Sequence, residues 1–152
     1  MQDLAETNQP AGYRERVERL EDAILALPQV DLLTEHVFSG GLYARTITIP
    51  AGTALTGAAH KTDHLNICVG DIEVLTDDGP KRLTGLHVLA TKAGMKRAGY
   101  AHADTRWTTV CMTSYTSLAD LAAIEAELVE EPERLQTRTQ SISHADPALV
   151  ED

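Results

Sequence analysis

The sequence predicts a mainly β protein, an antiparallel sandwich or barrel with one helix before it and one after it. Three observations carry this expectation. Short runs of aliphatic and β-branched residues recur at near-regular intervals between residues 30 and 116, the spacing of an all-β sandwich or barrel. Turn signals separate those runs at Ser39-Gly40-Gly41, Pro50-Ala51-Gly52, Asp77-Asp78-Gly79-Pro80 and Lys92-Ala93-Gly94, where the chain is expected to reverse. Helical periodicity is confined to stretches before Pro28 and after Ser117.

The elements follow in order. Residues 1–29 are a polar lead-in and a helix, with Val17, Leu20, Ile24 and Leu27 along one face and Pro28 as its stop. Arg14, Glu15, Arg16, Glu18, Arg19, Glu21 and Asp22 are expected on the solvated faces, with Glu15–Arg19 as a supporting pair. Residues 30–116 are the β domain. Val30–Phe38 and Leu42–Ile49 form a hairpin about the Gly-Gly turn. The stretch His60-Lys61-Thr62-Asp63-His64-Leu65-Asn66-Ile67-Cys68-Val69-Gly70 places two histidines at the head of an alternating run. His64, Asn66 and Cys68 share one face of that strand, and Leu65, Ile67 and Val69 share the other. Asp71–Thr76 follows, then one or two strands over Lys81–Leu83 and Leu86–Thr91, then Met95–Ala101 and Thr105–Tyr115. Residues 117–132 are the second helix, with Ser117 as its cap, Asp120 completing the cap, Leu118, Leu121, Ile124 and Leu128 as its stripe, and Pro132 as its end. Residues 133–152 are a polar tail or an arm that wraps a neighbour.

Bulk composition bounds the partners. Thirteen basic residues stand against 23 acidic ones, a net charge of −10, which repels phosphate backbones and disfavours nucleic acid as a partner. No apolar run approaches the roughly 18 residues needed to span a bilayer, so no membrane role is expected. The N-terminus lacks the basic start and apolar stretch of a signal peptide, so a soluble protein made in the cytoplasm is expected. Cys68 and Cys111 sit in apolar β runs and are expected as buried free thiols.

The chemistry-bearing residues cluster around the two-histidine stretch. His60 and His64 can both reach a divalent transition metal, with a third ligand sought from His102, Asp63, Glu73 or His87. Tyr43, Arg45, Asn66, Arg97, Tyr100 and Trp107 are the other candidates to line a cavity. An arginine beside imidazoles suits a carboxylate or phosphate, because its fork binds such anions bidentately. The alternative for the same residues is a satisfied structural network. No nucleophile elbow, glycine-rich phosphate loop or Cys-x-x-Cys pair occurs, which removes hydrolase, nucleotide-binding and zinc-ribbon readings.

The order of these features resembles the cupin family. Gly52 fits the glycine that opens the family's first motif, His60 its second histidine and Gly70 its closing glycine, and Gly94 fits the turn glycine of the second motif. The resemblance implies a double-sheet antiparallel barrel (jelly roll) with both helices outside it, and a divalent metal held by three histidines and a glutamate. Here Ala58 stands for the first histidine, His64 for the glutamate and Arg97 for the last histidine. A narrower resemblance, over about residues 30–130, is to small cupin-like proteins encoded by tailed bacteriophages. It rests on Phe38-Ser39-Gly40-Gly41-Leu42-Tyr43-Ala44-Arg45, Ile49-Pro50-Ala51-Gly52-Thr53, the two-histidine stretch, Gly94-Met95-Lys96-Arg97 and Asp104-Thr105-Arg106-Trp107-Thr108-Thr109. It implies a non-catalytic structural or binding protein, made in the host cytoplasm, homo-oligomeric and associated with other virion proteins. Two further readings stay open. One is a metal-dependent enzyme on a small polar or anionic substrate through His60 and His64. The other is a small-ligand sensor that uses the same cavity.

Overall fold

The computed structural model describes residues 11–76 and 78–131, and the backbone of residues 140–143. Residues 1–10 and most of the expected tail lie outside the described residues, as does Pro132. The expected class holds: an antiparallel sheet curls into a half-barrel, with one helix before it and one following it.

Helix α1 (Tyr13–Leu25) buries Tyr13, Val17, Leu20 and Ile24 against the barrel, while Leu27 lies beyond its end and is exposed. Each buried aliphatic contributes about 1.5–3 kcal/mol of transfer free energy. The face assignment fails at one position. Glu21, expected in solvent, is 1% exposed, because it lies four residues after Val17 and so shares its stripe. The charged pair on the outer face is Arg14–Glu18 at 3.4 Å, one residue out of phase with the expected Glu15–Arg19.

The first β run divides into β1 (Val30–Asp31) and β2 (Leu33–Ser39), and β2 pairs with β3 (Leu42–Ile49) across the Gly40–Gly41 turn. After β4 (Thr53–Thr56) comes β5 (His64–Thr76), which pairs along its whole length with β6 (Gly79–Thr91). The two candidate runs around Gly85 are therefore one continuous strand. β7 (Ala98–Ala101) is shorter than the run Met95–Ala101 that contains it, and β8 is Thr105–Met112. Within residues 133–152, Gln140–Ser143 forms β9, inserted between β1 and β4.

Two layers result, joined by the bent β5–β6 ribbon. The N-terminal half of β5 pairs with β8, extending the layer β2-β3-β8-β5-β6, and its C-terminal half pairs with β7 in the layer that contains β4, β9 and β1. The fold line is Gly70 opposite Gly85 in register. A Cβ on Gly70 would lie 2.7 Å from the Thr105 Cα and 2.8 Å from the Asp104 carbonyl oxygen, so only glycine lets the ribbon cross from layer to layer here.

Helix α2 (Leu121–Leu128) starts later than expected. Asp120, not Ser117, is the cap: its carboxylate accepts from the Ala123 N–H at 3.2 Å. Ile124, Glu125 and Leu128 are buried, whereas Leu118 and Leu121 are exposed. The helix stops at Leu128 because the chain turns extended and Val129 bridges to His60, with Lys61 N–H donating to the Leu128 carbonyl and Glu130 N–H to that of Ala59. This short seam fastens α2 across the mouth between the layers.

Candidate functional site

In the N-terminal half of β5 the inward face is the polar one. His64, Asn66 and Cys68 are buried while Leu65 and Val69 are exposed, the reverse of the usual arrangement for a half-buried strand. Between the layers, under α2, lies a cavity of about 150 Å³. Its walls bring together His60, His64, Asn66, Tyr43, Arg45, Arg97 and Trp107, residues drawn from three strands and two loops.

The polar groups form a directed chain. Arg97 Nη2 donates to Thr91 Oγ1 at 3.0 Å, Thr91 Oγ1 donates to Asn66 Oδ1 at 2.7 Å, and Asn66 Nδ2 donates to Thr109 Oγ1 at 2.9 Å. Each direction follows from the guanidinium, which can only donate, so Thr91 must pass its own proton to an acceptor and Asn66 is held in one amide orientation. Arg45 stands directly opposite Thr109 in the β3–β8 register. The Tyr43 hydroxyl meets His36 Nδ1 at 2.7 Å, and its ring stacks on Phe38. Burial pushes the Tyr43 phenol up to about 12, so it remains protonated at neutral pH.

The imidazoles of His60 and His64 lie with ring centroids 4.2 Å apart. His64 Nδ1 donates to the Thr62 carbonyl at 2.9 Å, which leaves Nε2 as the acceptor of the neutral ring. Burial holds His64 below the ordinary histidine range and the Arg97 charge adds to this, against an opposing contribution from the Thr62 bond.

Arg97 is an incompletely satisfied charge in the cavity wall. Its Nε is buried and makes no hydrogen bond, and no carboxylate pairs with the guanidinium among the described residues. Burial holds its pKa below the usual arginine value. Arg97 is fixed from behind: its carbonyl accepts from Gly57 N–H at 2.9 Å. Next to it, the ammonium of Lys96, 2% exposed, meets the Glu21 carboxylate at 3.3 Å and the Gly57 carbonyl at 2.9 Å. Thr56 completes that cluster by donating to Glu21 Oε2 at 2.5 Å. The buried pair pins α1 to the strand and loop that carry Arg97.

The remaining candidates lie elsewhere. His102 Nε2 is paired with Glu73 Oε1 at 2.8 Å, and Tyr100 packs its ring edge-on to His102 and against the α1 core. Neither lines the cavity. Asp63 accepts from the Ala93 N–H at 2.9 Å, and His87 donates to the Thr84 carbonyl at 2.9 Å. The two imidazoles adjoin, and the Glu125 carboxylate lines the same cavity from α2 without completing a group of three ligands with them. No group of three or more histidine, cysteine, aspartate or glutamate side chains converges among the described residues, Ala58 contributes a methyl group, and the Arg97 cation lies in the same wall. This set does not fit a divalent transition metal, which needs further anionic or neutral donors.

Sequence reasoning missed Glu125, Thr91 and Thr109. Glu125 lines the cavity from α2, and the signal was present: residues 121, 125 and 128 share one helix face at spacings of four and three. Thr91 and Thr109 sit inward by strand alternation, but threonine in a strand gives no chemical cue. Cys68 and Cys111 are buried free thiols on adjoining strands. They face Trp107 and Tyr43 respectively rather than each other.

No family model and no curated relative matches the sequence. Solved structures similar in fold include a cupin superfamily protein from Desulfitobacterium hafniense, 15% identical over 58% of this chain and 83% of that one, with a TM-score of 0.46. An ectoine synthase from P. lautus is 18% identical over 59% of this chain and 70% of that one, at 0.47. A conserved protein of unknown function from Streptococcus pyogenes is 18% identical over 59% and 80%, at 0.44. These likenesses are of fold alone, and no residue's role is carried over from them.

Proposed function

We propose that the protein is a non-catalytic binding module whose cavity takes a small carboxylate with an apolar body. The single observation that carries this is Arg97: a half-buried guanidinium in the cavity wall, its Nε buried without a hydrogen bond and no carboxylate paired with it among the described residues. A cation drawn partly out of water in this condition is costly unless an anion completes it. A planar carboxylate is the anion that a guanidinium fork matches bidentately. Arg45 supplies a second cation in the same wall.

The rest of the lining selects the body of the ligand. Ile47, Leu55, Met95, Trp107, Ile124 and Leu128 present apolar surface around the polar chain. A void near 150 Å³ accommodates a group about the size of benzene. A dianionic phosphate would have to lose most of its hydration in this lining, whereas a single carboxylate is neutralised by one guanidinium.

A thermal-shift panel on the full chain tests the reading, with benzoate, 3-methylbutanoate, benzamide and inorganic phosphate as probes. At 100 times Kd a carboxylate stabilises by about 2.7 kcal/mol, or roughly 5–10 °C for a domain of this size. Benzamide and phosphate are expected to give no shift, and no shift with any carboxylate would remove the reading.

We extend this reading to a bacteriophage setting on the strength of the motif set in residues 30–130. The chain is then expected among the proteins of purified virions by mass spectrometry. Its absence there would leave the binding module without a place in the particle.

A further inference from the structure

The directed chain of hydrogen bonds that starts at Arg97 has a second end. Thr91 and Asn66 each pass a proton onward, so Thr109 Oγ1 accepts from Asn66 Nδ2 at 2.9 Å. The hydroxyl proton of Thr109 then has no acceptor among the described residues. Arg45 stands directly opposite Thr109 in the β3–β8 register and lines the same cavity, so the two side chains start about 5 Å apart. The Arg45 guanidinium is half-buried and makes no hydrogen bond or ion pair among the described residues. Tyr43, two residues back on that face, has its hydroxyl on His36 instead. What faces the cavity here is a hydroxyl with a proton to give, beside a cation with no carboxylate on it. From this juxtaposition we infer a second acceptor subsite on Arg45 and Thr109, which makes the ligand a short dicarboxylate.

The inference rests on the carboxylate reading of Arg97, with one guanidinium neutralising each end of the ligand. Spacing sets the ligand's length. The hydroxyl oxygens of Thr91 and Thr109 are joined through one amide, by hydrogen bonds of 2.7 and 2.9 Å, so they lie no more than about 8 Å apart. Arg97 donates at the first of them and Arg45 stands opposite the second. An extended acid of about five carbons has its terminal oxygens about 7 Å apart, which matches. Its methylene spacer would lie along Ile47 and Trp107 of the lining. Charge agrees with this. Arg45 and Arg97 stand against Glu125, the one carboxylate among the described lining residues. The chain as a whole carries −10, so the attraction for a dianion is local to these two guanidiniums.

Isothermal titration of the full chain at neutral pH with glutarate and with pentanoate tests the subsite, because the two acids differ only in the second carboxylate. Charge-assisted hydrogen bonds to Arg45 and Thr109 predict that glutarate binds about ten- to hundredfold more tightly. Thr109→Val removes the hydroxyl at nearly constant shape, and Arg45→Gln removes the charge. Either is expected to bring the ratio of the two affinities close to one, and Thr109→Ser to restore it. The ratio in the unaltered chain decides the question even where a variant melts early. Pentanoate binding with glutarate no tighter would overturn the second subsite and leave the Arg97 reading standing. Binding of neither acid would overturn both. A glutarate preference that persists in Arg45→Gln and in Thr109→Val would show that the second carboxylate sits elsewhere, and the subsite would fall.

Discussion

Arg97 is the residue where stability and binding pull in opposite directions. Its guanidinium lies in the cavity with one side-chain hydrogen bond, to Thr91, and a buried Nε left over. Arg97→Gln removes that charge, and Thr91 can still accept from the shorter amide. We expect the empty variant to match or exceed the parent in urea denaturation, by up to about 1–3 kcal/mol, while losing all carboxylate-dependent stabilisation. A variant that is destabilised by that much in the absence of ligand would show that Arg97 is a structural group. His64 sets a second prediction at this scale. Burial depresses its pKa in the folded state, so the unfolded chain takes up the proton first as pH falls. Its contribution is therefore complete above about 6.5 and lost as pH drops through 6.5 towards the depressed value. Urea midpoints measured from pH 7.5 to 5 should fall across that window, and less steeply in His64→Gln. His36, also depressed by burial, adds to the parent slope and remains in the variant.

The elements are held by two devices that have no periodic signature. The first is the Gly70–Gly85 fold line of the β5–β6 ribbon. Both residues have positive φ, but only Gly70 is crowded; nothing lies within 4 Å of a Cβ on Gly85. Gly85→Ala should cost about 1–2 kcal/mol from backbone strain alone. Gly70→Ala should cost more than twice that in chemical denaturation, because the Thr105 backbone has to move. Equal costs would mean the ribbon can shift to absorb the methyl. The second is the buried Lys96–Glu21 pair that joins α1 to the wall behind Arg97. Lys96→Met should cost about 3–5 kcal/mol by stranding the carboxylate. The double variant Glu21→Gln/Lys96→Met should recover part of that loss in the same denaturation assay. Spacing puts Glu21 on the stripe of Val17, but charged residues at 18, 19, 21 and 22 look alike until that stripe is drawn strictly. The same strictness would have placed Glu125 in the cavity.

For the molecule as a whole, the mainly β class, the turn positions and both flanking helices were legible because alternation and glycine turns are local signals, whereas β4 and β9 and the continuity of β6 were not. Which strand face is inside was not. In the N-terminal half of β5 His64 and Asn66 point in while Leu65 and Val69 point out, so hydrophobicity alone assigns the faces of that half backwards. The run Leu65-Ile67-Val69, which hydrophobicity would put inside, belongs to the outer surface, and the histidine face belongs to the cavity. His60, His64, Arg97, Arg45, Asn66, Tyr43 and Trp107 were identifiable from their types and positions. Tyr100 and His102 were misplaced, because only the turn between β7 and β8 decides that they face α1 and Glu73. The central claim is that the cavity holds a small carboxylate on Arg97, and isothermal titration of benzoate into the full chain tests it most directly. The account predicts saturable one-to-one binding that disappears in Arg97→Gln and is absent with benzamide. Binding of equal strength in Arg97→Gln, or no heat beyond dilution in the parent chain, would contradict it.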